Sequence, residues 1–108
     1  MMTQDKILTV LADESASKDE KIAAVMFAIF NLDDPRWLQN LCMQCSKSDD
    51  SDIAGLAITG IGHIARLHGN LDLETVVPFL EEIKNENTEL SGRAEDALED
   101  IQIFMKSK

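Results

Sequence analysis

A chain of 108 residues has room for one domain, and 44% apolar with 28% charged residues is the balance of a folded chain rather than a disordered one. No apolar run approaches the roughly 20 residues that span a bilayer, no secretory pattern opens the chain, and two cysteines are too few for a disulfide-stapled scaffold, so the expectation is a cytoplasmic protein. Ten basic against twenty acidic residues give a net charge of −10, which repels nucleic acid and anionic membranes and attracts basic surfaces. The excess is uneven, with net −4 over residues 1–68 and net −6 over the shorter stretch 69–108.

The apolar spacing is helical almost throughout. A first helix starts after Thr3, whose hydroxyl can cap it, and carries Ile7, Leu8 and Leu11 on one face. Ser17 caps a second helix with Asp19 and Glu20 in its first turn, the favourable sign at a helix N-terminus. Ile22, Val25, Met26, Phe27, Ile29 and Phe30 make that helix apolar around more than half its girth, which predicts a central, largely buried element. Asp34 caps a third helix with Pro35 as its first residue, and Trp37, Leu38, Leu41, Cys42 and Cys45 share one face. After the polar turn 46–51 a long fourth helix follows, with Ile53, Leu56, Ala57, Gly60, Ile61, Ile64 and Ala65 on its buried side. Gly55, Gly60 and Gly62 each cost it roughly 1 kcal/mol relative to Ala, which points to close approach by a neighbouring backbone or a partner, or to simple tolerance. Gly69 is a left-handed C-cap. Asp72 caps a fifth helix carrying Val76, Val77, Leu80 and Ile83, which Pro78 should kink. A sixth runs from about Glu89 to Met105, with Leu90, Ala94, Ala97, Leu98, Ile101 and Phe104 facing inward.

Six helices, no strands and short connections describe an all-α domain spanning residues 1–108. The chain also repeats itself. At an offset of 37 residues Ile53 falls on Leu90, Gly55 on Gly92, Ala57 on Ala94, Ile61 on Leu98 and Ile64 on Ile101. The segment Ile53-Ala54-Gly55-Leu56-Ala57-Ile58-Thr59-Gly60-Ile61-Gly62-His63-Ile64-Ala65 resembles the second helix of the HEAT-repeat family. Glu89-Leu90-Ser91-Gly92-Arg93-Ala94-Glu95-Asp96-Ala97-Leu98 resembles the same helix in a following repeat, and Val76-Val77-Pro78-Phe79-Leu80 resembles the proline-kinked first helix. The likeness is strong over residues 35–105 and weaker over 3–31, and many family members carry an Arg where Ser91 follows Leu90. It implies a short right-handed α-solenoid of about three helical hairpins.

No nucleophile–base–orienter set, phosphate loop or metal signature stands out, so the chain reads as a non-enzyme without a cofactor. Cys42 and Cys45 have C-x-x-C spacing, but two further zinc ligands and the strand–helix setting of a redox pair are missing, leaving two structural thiols. Asp50-x-Asp52 with Gly55 fails as a calcium loop because the twelfth position is Ile61.

The carboxylates remain. A solvated surface plus N-caps accounts for many of them, and capping alone suffices for Asp50, Asp52 and Asp72. In a solenoid, however, second helices line one concave surface. There the fourth helix would present Asp52, Gly55, Thr59 and His63, and the sixth Glu89, Gly92, Asp96, Glu99 and Asp100, with Asp49 and Asp50 as a second contact region. Such a negative surface with small residues at its centre suits docking of a basic protein. Small acidic HEAT-like chains resemble bacterial immunity proteins, which implies one-to-one neutralisation of a basic toxin, most simply a nuclease with its phosphate-binding cleft. The other class is an adaptor or small subunit of an endogenous complex, such as one associated with HEAT-like chromophore lyases.

Overall fold

Side-chain caps set most of the helix starts. In the computed structural model, which describes residues 2–105, the Thr3 hydroxyl accepts the Lys6 N–H at 3.2 Å and opens α1 (Gln4–Ala12). Ser17 and Glu20 form a reciprocal capping box at α2 (Lys18–Asn31), their bonds 2.8 and 3.1 Å long. Asp34 accepts the Trp37 N–H at 3.1 Å at the start of α3 (Pro35–Cys45). Asp50 accepts from the N–H groups of Asp52 and Ile53 at α4 (Ser51–His68), which ends on Gly69 at φ 59°, the left-handed conformation that favours glycine.

The last two helices begin differently from expectation. Asp72 precedes α5 (Leu73–Glu86) without a side-chain capping bond; its carboxylate accepts the Thr75 hydroxyl at 2.9 Å instead. Its backbone N–H donates at 2.7 Å to Oε1 of the buried Gln39, so α3 anchors the entry to α5. Pro78 lies within α5, which continues through it to Glu86. The final helix, α6 (Ser91–Phe104), starts later than Glu89, because Asn87 draws the Leu90 N–H into a turn at 3.1 Å. No strand occurs among the described residues, and Met1 and residues 106–108 of the expected domain lie outside them.

Consecutive helices pack as α1 on α2, α3 on α4 and α5 on α6, while α2, α4 and α6 also pack side by side. Extents of 41 × 30 × 17 Å make the molecule two helices thick. The central element is α4, not α2 as its apolar girth suggested. Ile58, Ile61 and Ile64 of α4 are wholly buried, because α2, α3 and α6 all pack against it. The glycines explain how they fit. A Cβ at Gly60 would stand 2.5 Å from Ile29 Cδ1, and one at Gly62 would stand 2.6 Å from the Asp100 carboxylate. Close approach by the buried Ile29 is therefore the reason at Gly60, whereas at Gly62 the near atom ends the half-buried Asp100 side chain, which has room to shift. By contrast α2 buries only Ala24, Val25, Ala28 and Ile29; Met26 is 44% and Phe30 53% exposed. Phe104, expected inward, is 46% exposed: it is the last residue of α6, and its ring faces the exposed Arg66 of α4.

Candidate partner-binding face

Both α2 and α6 pack on α4, and side-chain contacts tie α6 to α4 along its length. Arg93 Nη1 donates to Thr59 Oγ1 at 3.0 Å and lies 3.5 Å from the Gly55 carbonyl, contacts spanning 34 and 38 residues of sequence. These separations bracket the 37-residue offset. The same contacts correct two features of the expected surface. Gly55 is buried under the Arg93 side chain and is not an open centre, and a cation sits where an unbroken negative face was expected.

The candidate residues divide into three groups. At the N-terminal end of α4, Lys18 bridges Asp50 at 3.5 Å and Asp52 at 2.5 Å, while Asp49 is exposed on the preceding turn. Along the middle, Thr59 accepts from Arg93, and the half-buried His63 ring stands 5.1 Å from the Phe30 ring, tilted by 57°. Asp100 belongs here too, half-buried against Gly62, and Asp96 is exposed one turn before it on α6. The third group is scattered. Glu99 lines a groove between α5 and α6 with Val77, Glu81, Lys84 and Leu98, and Glu89 sits in the turn before α6 rather than on it. At 1.5 Å per residue, Thr59 lies about 10 Å and His63 about 16 Å beyond Asp52 along the α4 axis.

Periodicity did not point to the other residues of this face. Arg66 places its guanidinium 5.8 Å from the Phe104 ring centroid, within reach of a cation–π contact. Leu67 and Ile103 are 58% and 62% exposed. His63, Arg66 and Leu67 fall at i, i+3 and i+4, hence on one side of α4. A band of Phe30, His63, Arg66 and Phe104 therefore crosses α2, α4 and α6. A signal was available, since α6 cannot turn Ile101, Ile103 and Phe104 to one buried stripe at 3.6 residues per turn.

Electrostatics at the α4 cap gives a testable pH response. Loss of hydration pushes the Asp50 carboxyl up, but the N–H groups of Asp52 and Ile53 together with Lys18 outweigh this and hold it below the ordinary carboxylate range. A depressed folded-state pKa contributes stability above the unfolded value of about 3.9, lost as pH falls through the folded one. Asp50→Asn keeps a capping acceptor without the charge. It should be less stable than the parent at pH 7, with the gap closing towards pH 2, as urea midpoints at the two pH values will show. The thiols behave oppositely: burial pushes Cys42 up to about 12 and also raises Cys45. Cys42 is fully buried, so it should resist a disulfide reagent at pH 8 in the folded protein and react once urea unfolds the chain. Rapid titration of Cys42 in the native state would contradict its burial.

No family model matches the sequence, and no curated protein or solved structure matches it either.

Proposed function

We propose that this protein is a non-enzymatic binding module that captures a basic protein one-to-one, acting in the cytoplasm as an immunity protein against a toxin, most simply a nuclease. The observation that carries the reading is the surplus of uncommitted negative charge. Of twenty carboxylate side chains, only Asp50, Asp52 and Glu95 form ion pairs among the described residues. Lys18 and Arg93 are already engaged within the chain, leaving Asp96, Glu99 and Asp100 without a cation of their own among the described residues. The same reading takes the three helix pairs as a short right-handed α-solenoid of HEAT-like hairpins. The 34- and 38-residue contacts between α4 and α6 support it.

Complementary charge acts first on the rate of encounter, so association should slow as salt screens it over a Debye length of about 10 Å at 0.1 M. Asp96→Lys with Glu99→Lys, both exposed, should weaken protection of cells expressing the cognate toxin while the circular dichroism of the folded domain is unchanged. Asp100 is left intact in this test because it packs on Gly62. A truncated partner of a desolvated charge pair would cost about 2–5 kcal/mol of binding, and a rim pair far less. Full protection by the reversed variant would remove this surface from the interface, and absence of any protected toxin would remove the function.

A further inference from the structure

We infer that the aromatic band across α2, α4 and α6 is the apolar anchor on which a basic protein partner docks, with Asp96 and Asp100 of α6 as its charged rim. The inference rests on the binding of a basic protein proposed above and assigns the part of the surface that holds the partner once it has arrived.

Three observations carry it. The band is exposed where a helical domain of this size would ordinarily bury such side chains: Phe30 is 53%, Phe104 46% and Leu67 58% open. It is ordered by its own contacts, with Phe30 against His63 and Arg66 against Phe104, so its rings lose little freedom on binding. It is also flanked by negative charge, since Asp100 reaches Gly62 beside His63, and Asp96 lies one turn away on α6. An exposed aromatic centre with a charged border is the anatomy of an interface in which a few large side chains supply most of the affinity.

Charge decides the occupant. A second copy would bring another −10 against this face and set the α6 carboxylates among their own kind. A basic partner gains at both levels, through complementary charge at the rim and apolar burial at the centre. The only cation within the band, Arg66, is drawn over Phe104, which leaves the rim carboxylates to the incoming Lys and Arg side chains.

The test uses the full chain in its native cell. p-Benzoylphenylalanine is placed, one position at a time, at Phe30, Phe104, Asp96 and, as a control on α5, Glu81, and the photo-adducts are identified by mass spectrometry. The expected result is one basic protein attached at Phe30, Phe104 and Asp96 and absent at Glu81. Purified Phe30→Ala/Phe104→Ala should then release that protein roughly 30-fold faster, the scale of a central hot spot, while its association rate changes by less than about twofold. A basic adduct at Asp96 without one at Phe30 or Phe104, equal adducts at Glu81, or unchanged release from the double variant overturns the anchor and leaves binding of a basic protein standing. An adduct between two copies of this chain at the band overturns the assignment of its occupant. No basic adduct at any position overturns both the anchor and the function it rests on.

Discussion

Ile58→Ala is expected to destabilise the domain by about 2–5 kcal/mol, as much as Ile61→Ala, although only Ile61 lies on the apolar stripe read from periodicity. Both side chains are wholly buried, and α4 is covered by α2, α3 and α6. Truncating either removes apolar contacts and leaves a cavity that three neighbouring helices cannot all move to fill. A loss of that size is a large share of the roughly 5–15 kcal/mol that holds a domain together, so the variant should fold with a much lower urea midpoint. Phe30→Ala and Phe104→Ala provide the contrast. Buried phenylalanines would cost about 3–5 kcal/mol, whereas these half-exposed rings should cost about 1 kcal/mol or less. The two sets of urea midpoints test the architecture directly. Equal losses at Ile58 and Phe30 would mean that the Phe30 ring is buried and that α2 is covered as fully as α4.

The features legible in the sequence are those decided within one turn of backbone. Thr3, Ser17, Asp34 and Asp50 cap the helices they precede, and Gly69 adopts the left-handed cap, because each depends only on neighbours a few residues away. Asp72 failed as a cap because Thr75 takes its carboxylate, and α6 begins late because Asn87 holds the Leu90 N–H; these are competitions between equally local bonds. Burial is different in kind. An apolar girth such as that of α2 says how much surface could be covered, while coverage depends on how many helices arrive, which the topology decides. Met26 and Phe30 stay open for that reason, and Ile58 is buried for its converse. The candidate face shows the same split. Its net charge could be counted from composition, but the pairing of Lys18 with Asp50 and Asp52, and of Arg93 with Thr59, required the fold. Within α6 the spacing offers Arg93 a partner in Asp96, three residues on, but the side chain crosses to Thr59 of α4 instead.

Gly60 offers the strongest test of how α2 and α4 are fitted together. Gly60→Val should destabilise by about 1–3 kcal/mol through overpacking, since even its first added carbon would lie 2.5 Å from Ile29 Cδ1 and 3.1 Å from Cys42 Sγ. Ile29 and Cys42 are buried to within 1% of completely, so neither can swing into solvent to make room. Helix propensity offers little relief, because Val gains only a few tenths of a kcal/mol over Gly. Ile29→Ala should separately cost about 2–5 kcal/mol by opening a cavity on the α2 side of the same contact. Valine adds three carbons at Gly60 and alanine removes three at Ile29, so the double variant conserves volume where the helices meet. Its loss should fall short of the sum of the two single losses by about 1–3 kcal/mol, the range found for residues sharing one packing site. Four urea-denaturation curves, for the parent, each single variant and the pair, measure this coupling. Strictly additive losses would show that the space beside Gly60 is not held by Ile29, and the close packing of α2 on α4 would have to be redrawn.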